Sequence, residues 1–242
     1  MHIGGDSGGW RTAGERRTLW GALTAQTAVF RIAAGRHQCE VKALLGDDFA
    51  GIVCSDRWRA YDYLEPEQRQ LCWAHLVRDF TAHSEGLAAQ QQFGQAGLAI
   101  AKPLFAAWDD YRQHDDRARL REQISPLEHE LRALLEHAAR KSTKTKYHRQ
   151  FATNLLKRWP ALWTFTLVEG VEPTNNHAER GLRGAVIYRK LSLGSQSDHG
   201  ERTTERLLSA SITCRLQRRS LFAYLTDALS ATIRGDPTPL LA

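Results

Sequence analysis

A short apolar run that ends on an acidic residue restricts the fold of this chain more than any other feature. Residues 51–56 read Gly-Ile-Val-Cys-Ser-Asp. An apolar run of this length, bounded by a glycine and a polar residue, is typical of a central strand buried in a sheet. The sequence therefore predicts an α/β fold with Asp56 at the carboxyl end of such a strand, where these sheets place their functional sites.

The first third of the chain alternates between strand and helix patterns. Residues 16–33 predict a hairpin that turns at 24–27, because residues that favour strands flank a polar segment. Residues 36–45 predict a helix that ends at Gly46. A further strand is predicted over residues 70–75.

The middle of the chain, from about residue 80 to 165, has a helical pattern. Its apolar residues recur at steps of three and four, which marks one face of a long helix. These residues are Leu120, Ile124, Leu127, Leu131 and Leu134. Pro126 lies inside this pattern and indicates either a kink or a helix start.

Three further helices are predicted in the last third. Asn176 and Glu179 have the spacing of a capping box, which predicts a helix from there to about Val186. Apolar residues within 201–216 and 221–233 predict the other two helices.

The composition excludes several classes of protein. The chain has 242 residues, of which 42% are hydrophobic, so it can bury a core and is neither disordered nor collagenous. No apolar run reaches the ~20 residues of a membrane helix, and the N-terminus lacks a signal-peptide pattern. The four cysteines form no Cys-x-x-Cys pair, which argues against a disulfide framework and a four-cysteine zinc site. We therefore expect a soluble, cytoplasmic protein.

The positive charge is unevenly distributed. The formal net charge is +6 and the pI is near 9.3, values that are compatible with nucleic-acid binding but do not require it. No acid lies between Glu136 and Glu169, a stretch that contains seven basic residues. Either a DNA-facing helical segment or a solvated helix would show this pattern.

Three acids stand out by their positions. Asp6 precedes the hairpin, Asp56 ends the buried strand and Glu179 lies in the first turn of a late helix. Three carboxylates brought together repel one another unless a divalent cation neutralises them, and such oxygen ligands suit magnesium or manganese. Spacing alone is weak support, because most of the 27 acids in the chain are expected on the solvated surface.

Several segments resemble the insertion-sequence-66 family of transposases, in the same order along almost the whole chain. The Asn-Asn-x-x-Glu-Arg block at 175–180 is the most specific of them. The other similar segments are residues 6–11, 53–61, 72–79, 187–190 and 223–229.

The resemblance implies an RNase H-like mixed sheet with flanking helices and an all-helical insertion between the second and third catalytic acids. Residues 1–80 would form the first part of the catalytic core, 81–165 the insertion, and 166–242 the rest of the core. Asp6, Asp56 and Glu179 match the positions of a DDE triad.

The implied activity is DNA transposition, the cleavage of transposon ends followed by strand transfer. Asp6 would bridge two Mg²⁺ (or Mn²⁺) ions, with Asp56 and Glu179 each completing one side. The implied partners are transposon-end and target DNA and further copies of the same chain. A small-molecule substrate and a membrane are not expected, and the protein would be associated with the nucleoid.

The resemblance also suggests residues that assist the site. His75 could contact the scissile phosphate or orient a carboxylate, or it could be a core histidine, and Trp73 would support the site beside it. Arg183 could contact phosphate or pair with Glu179 four residues earlier. The residues expected to bind the DNA backbone are Arg140, Lys141, Lys144, Lys146, Arg149, Arg189 and Lys190.

The sequence departs from the family pattern near its start. Ser7, Gly8 and Gly9 separate Asp6 from Trp10, and only five residues precede Asp6. We therefore expect an N-terminally truncated family member whose first strand is half built. Two alternatives stay open: an inactive remnant that binds DNA or regulates a full-length transposase, and a nuclease that cuts branched DNA.

Overall fold

The structure, a computed structural model, describes residues 1–140, 146–192 and 194–241, with the backbone alone for residues 5–9. The chain forms two compact units. The first combines residues 1–63 with 175–242, and the second consists of residues 64–174. The second unit therefore begins before, and ends after, the insertion that the sequence predicts over 81–165.

The first unit contains the strands β1 (His2–Thr12), β2 (Glu15–Leu23), β3 (Ala28–Ala33) and β4 (Val53–Ser55), in the spatial order β3-β2-β1-β4. β2 pairs antiparallel with β1 and β3, which confirms the predicted hairpin, whereas β4 runs parallel to β1. All three residues of β4 are buried, as predicted for a central strand.

The first strand is long and paired, and the prediction that it is half built is wrong. β1 has 11 residues, and Asp6 lies inside it. Pairing with β2 extends from His2 opposite Leu23 to Thr12 opposite Glu15. The backbone partners in β2 therefore stabilise this strand, although few apolar residues precede Asp6. The register shifts between Asp6 and Trp10, where residues 7–9 were expected to loosen the strand.

The helices of the first unit are α1 (Gln38–Leu45), α7 (Asn176–Ser192), α8 (Asp198–Leu216) and α9 (Leu221–Arg234). Each of the four predicted helices is confirmed, although α7 continues six residues beyond Val186. The predicted capping box is wrong, because Asn176 is already helical and Glu179 donates its amide to the Asn175 carbonyl (3.1 Å). The Asn175 side chain is instead bound to β1.

Helix α7 packs closely on β1 and β2 because glycines lie at the contacts. A Cβ at Gly4 of β1 would lie 2.6 Å from the Leu182 side chain. A Cβ at Gly181 of α7 would lie 2.1 Å from the Leu23 side chain. Larger residues at either position would push the helix away from the sheet.

Helix α8 covers the edge of β3 through polar side chains. Because the residues concerned are spaced four apart on one helix face, they meet alternate residues of the strand. Thr213 accepts a hydrogen bond from the Ala28 amide (3.0 Å), Ser209 from Phe30 (2.9 Å) and Glu205 from Ile32 (2.5 Å). These bonds satisfy strand amides that an open edge would offer to another chain.

The second unit is mostly helical. Its elements are β5 (Arg69–Leu71), α2 (Trp73–Ser84), α3 (Ala88–His114), α4 (Arg117–Ala139), α5 (Lys146–Lys157) and α6 (Thr164–Leu167), with short 3-10 helices at Pro66–Gln68 and Trp159–Leu162. The predicted strand over 70–75 is therefore wrong beyond Leu71. Trp73, Leu76 and Phe80 are spaced for one apolar helix face and are fully buried, which favours a helix over a strand.

The predicted leucine face is confirmed in α4. Leu120, Ile124, Leu127 and Leu131 are buried in one cluster with side chains from α2, α3 and α5, and Leu134 packs against it. The helix continues through Pro126, so this proline neither begins nor ends it. This apolar cluster holds the second unit together.

Candidate active site

Asp56 directly follows β4 and is held by two neighbours. Its Oδ1 accepts a hydrogen bond from the Trp58 amide (2.9 Å), and its Oδ2 lies 3.4 Å from Nη2 of Arg36. The Asp56 side chain is 30% exposed and that of Arg36 is 22% exposed. The carboxylate is therefore oriented by the fold but remains open to solvent on one side.

The backbone of Asp6 lies in the strand next to β4. The Cys54 amide of β4 donates to the Met1 carbonyl (2.8 Å), and His2 is aligned with Cys54 in the parallel register. Asp56 follows Cys54 by two residues and Asp6 follows His2 by four, so continuing the register offsets the two acids by about 7 Å along the strands. The side chain of Asp6 lies outside the described part of the structure.

Glu179 lies in the first turn of α7, and two side chains fix that turn to the sheet. Asn175 donates to the carbonyl of Ile3 in β1 (2.6 Å), and Nε2 of His177 lies 2.8 Å from the carbonyl of Thr24, directly after β2. The Glu179 side chain is half-buried. Elements bearing the second and third predicted acids are thus both attached to β1.

The chemistry of these donors fits a hard divalent cation, which prefers carboxylate oxygens. Among the side chains that the structure describes, no three Asp, Glu, His or Cys residues cluster closely enough to hold a metal ion. The predicted triad includes Asp6, whose side chain is outside that set.

Trp73 and His75 belong to the second unit. Trp73 is fully buried, and its Nε1 donates to the carbonyl of Leu162 (2.9 Å). His75 lies in the first turn of α2 and is half-buried. The surroundings of Trp73 are those of a core residue.

The predicted DNA-binding residues lie on both units. Lys146 is exposed and Arg149 is partly exposed on α5, and Arg140 follows α4, whereas Lys141 and Lys144 lie outside the described residues. A groove along α5, which sequence reasoning did not single out, is lined by Ala139, Arg149, Gln150, Thr153, Asn154 and Lys157. In the first unit, Arg183, Arg189 and Lys190 lie on α7, and Arg183 and Lys190 are exposed.

Comparison with known proteins decides the family. A model of the transposase IS66 family matches residues 4–203, which is most of the chain. The chain belongs to the IS66 transposase family. An uncharacterized protein, y4qI of Sinorhizobium fredii (strain NBRC 101917 / NGR234), is 28% identical over 243 residues, covering 94% of this chain but 44% of that protein. The chain thus spans less than half the length of this curated relative.

The IS66 family match includes all three predicted acids and ends within α8, before α9. No solved structure matches the chain. No helix in the described ranges is long and apolar enough to cross a membrane.

Sequence reasoning missed Arg36 as a neighbour of the candidate site. Arg36 lies in the loop before α1, and its guanidinium stacks on the ring of Trp58, 4.6 Å from the centroid. The sequence held a partial signal, since Trp58 is part of the segment 53–61 that resembles the IS66 family. The separation of 20 positions between Arg36 and Asp56 hid the contact itself.

Proposed function

We propose that this chain is the catalytic domain of a DDE transposase with an RNase H-like core. One observation carries the proposal. β1, which contains Asp6, pairs in parallel with β4, which leads to Asp56, and α7, which contains Glu179, is fastened to β1 through Asn175. Three elements that bear the acids of an IS66 family pattern therefore meet at one sheet.

The proposed reaction is hydrolysis of a phosphodiester bond at a transposon end, followed by attack of the freed 3′-hydroxyl on target DNA. Asp6, Asp56 and Glu179 would hold two Mg²⁺ or Mn²⁺ ions through their carboxylate oxygens. When bound, these ions activate the attacking oxygen and stabilise the leaving oxygen of an in-line displacement. The role of the chain is to fix the carboxylates before DNA arrives, which the Asn175 and Trp58 contacts support.

The proposed DNA-binding surfaces have support from charge. Arg183 and Lys190 are exposed on α7, the helix that also bears Glu179. The α5 groove contains Arg149 and Lys157 and lies in the stretch without acids. No carboxylate of that stretch would therefore repel a DNA phosphate bound in the groove. His75 stays a candidate for phosphate contact and Trp73 for support.

The predicted homo-oligomer is also a proposal. Helix α9 has Phe222, Leu229 and Ile233 exposed, and their spacing of seven and four residues places them on one face. A second copy of the same helix would cover this face. The cytoplasmic, nucleoid-associated location follows from the proposed DNA substrate.

The test is a cleavage assay with the purified chain and duplex DNA that carries the inverted repeats flanking its gene. We expect Mg²⁺-dependent nicks that EDTA prevents. Asp56→Asn and Glu179→Gln should each lower the rate by roughly 100- to 1000-fold, since each removes a charge that stabilises the transition state. Asp48→Asn changes an exposed acid outside the site and should leave the rate unchanged. Full activity of Asp56→Asn would reject the triad.

A DNA-binding remnant is the second candidate, and the basic α5 groove favours it. It predicts binding to the same duplex that weakens steeply with salt, because phosphate contacts release counterions. It also predicts no metal-dependent cleavage. A structure-specific nuclease would instead cut branched DNA without preference for the repeat ends.

A further inference from the structure

The loop that bears Arg36 has a fixed backbone on both sides of the residue. The indole Nε1 of Trp20, a fully buried residue of β2, donates to the Gly35 carbonyl (3.1 Å). The indole Nε1 of Trp58 donates to the Arg36 carbonyl (2.9 Å). The main chain at Gly35 and Arg36 is therefore held by Trp20 of the sheet and by Trp58.

The contact between Arg36 and Asp56 is weak for an ion pair. Its single N–O distance of 3.4 Å exceeds the 2.7–2.9 Å of a strong charge-assisted bond. Nε of Arg36 is buried without a hydrogen-bond partner among the described residues, so the planar fork is not engaged in a bidentate contact. Both side chains are partly exposed, which further weakens the attraction.

Asp56 would keep its orientation without this contact. The Trp58 amide holds Oδ1 at 2.9 Å, independently of the guanidinium. The Arg36 guanidinium also has a second interaction, because it stacks on the Trp58 ring. If the contact between Arg36 and Asp56 broke, each side chain would therefore keep another interaction.

We propose that Arg36 is a built-in counter-ion for Asp56, which neutralises this carboxylate when no cation is bound and releases it when a divalent cation binds. The inference rests on the proposed function, because it takes Asp56 as a metal ligand. A cation on Asp56 and the guanidinium of Arg36 would carry like charges a few ångströms apart, where their repulsion is strong. The positive charge of Arg36 thus lowers the affinity of the site for the cation.

The test measures Mn²⁺ affinity without any reaction, by following free Mn²⁺ with electron paramagnetic resonance at about 0.1 M salt. Arg36→Met keeps most of the apolar stem and removes the charge, and we expect it to bind Mn²⁺ about tenfold more tightly than the unchanged chain. Arg36→Lys keeps the charge and should stay within about twofold of the unchanged affinity. Arg59→Met removes an exposed arginine three residues after Asp56 and should have no effect.

A second uncharged variant guards against misfolding. Arg36→Gln should show the same gain as Arg36→Met, and thermal unfolding without metal should confirm that both variants fold. Equal or weaker Mn²⁺ binding by both folded variants would overturn the counter-ion role while leaving the proposed function intact.

Failure of the proposed function has a different signature. With Arg36 retained, Asp56→Asn should abolish or strongly weaken Mn²⁺ binding. If no variant shows Mn²⁺ binding that depends on Asp56, both the metal site and the counter-ion role are rejected.

Discussion

Two helix contacts, one in each unit, are made by different chemistry. In the first unit, α8 meets the edge strand β3 through hydroxyl and carboxylate groups that accept backbone hydrogen bonds. In the second unit, α2 and α3 meet through Phe80, Phe93 and glycines, with apolar atoms in contact. The first kind of join specifies one register of helix on strand, whereas the second depends on how closely two helices approach.

The difference predicts where each unit is fragile. A helix pair that touches at glycines has no room for another carbon atom, so a small increase in volume is costly. A polar join tolerates volume better but loses stability when one hydrogen-bonding group is removed. Adding a methyl group should therefore be costly at a glycine that lies in a helix contact and should not be costly at a glycine outside any contact.

The largest effect is expected from adding one methyl group to the second unit. A Cβ at Gly94 of α3 would lie 2.3 Å from the Ser84 amide nitrogen and 2.5 Å from the Phe80 carbonyl oxygen. Because backbone atoms of α2 cannot move aside, Gly94→Ala should lower the free energy of unfolding by about 3 kcal/mol. Urea unfolding followed by circular dichroism measures this loss.

The same substitution at a glycine outside any contact should act in the opposite direction. Gly184 of α7 is exposed, and apart from its chain neighbours and the backbone of its own helix no described heavy atom lies within 4 Å of an added Cβ. Gly184→Ala should therefore stabilise the chain by about 0.5–1 kcal/mol through helix propensity alone. Destabilisation by both variants, or by neither, would contradict the difference in packing.

The second effect concerns acid and begins with one histidine in each unit whose pKa is lowered by burial. Burial, followed by the positive chain terminus and His177, lowers the pKa of His2 to about 4. The unfolded histidine titrates near 6.5, so below that pH the unfolded chain binds more protons and β1 loses stability until about pH 4. With partial exposure discounted, we expect a loss of about 1–2 kcal/mol between pH 7 and 5.

Hydrogen exchange of the β1 and β2 amides measures this loss, and His2→Phe should abolish most of it. Burial also lowers the pKa of His148 in α5, so acid weakens the second unit too, in the same direction. His148→Phe should reduce the acid response of α5 but leave that of β1. If each variant changed the response of both units equally, the units would not titrate separately.

The sequence anticipates features that repeat at short range and misses those that depend on distant partners. The leucine face of α4 is predictable because its apolar residues recur within two or three turns. The contact of Thr213 with Ala28 joins residues 185 apart, and no local pattern signals it. The predicted strand at 70–75 fails for a related reason, since Trp73 and Leu76 pack in a helical cluster that only the folded chain defines.

The candidate site shows the same limit. The position of Asp56 after a buried strand follows from the local pattern of residues 51–56. The placement of β1 next to β4 depends on contacts between residues more than 50 positions apart. The attachment of α7 to β1 through Asn175 does so as well. Arg36 was missed because a loop arginine before a helix has no local signature of an ion pair.

A third, smaller effect tests the polar join directly. The Thr213 hydroxyl is buried and both accepts from the Ala28 amide and donates to its carbonyl (3.1 Å). Thr213→Val keeps the shape but leaves both groups unsatisfied, and should destabilise the first unit by about 1 kcal/mol. Urea unfolding gives the magnitude, and faster exchange of the Ala28 amide locates it.

The control is Thr203→Val on the same helix, since among the described residues the Thr203 hydroxyl bonds only to the carbonyl of His199 within α8. It should change the free energy of unfolding by less than about 0.5 kcal/mol. An equal loss in both variants would indicate a general effect of valine in α8 and not the join to β3.

The smallest effect on stability is expected at α9, whose exposed apolar side chains contribute little to the core of the first unit. Phe222 is 82% and Ile233 is 86% exposed, so changing both to glutamate should alter the free energy of unfolding by less than about 0.5 kcal/mol. If a second copy covers this face, the same double variant should shift sedimentation from oligomer to monomer, because charge would be placed in an apolar contact. Ala223→Glu, exposed on the same helix but about 100° away from the stripe, should leave the oligomer unchanged. Identical sedimentation of the unchanged chain and the double variant would remove α9 from the interface.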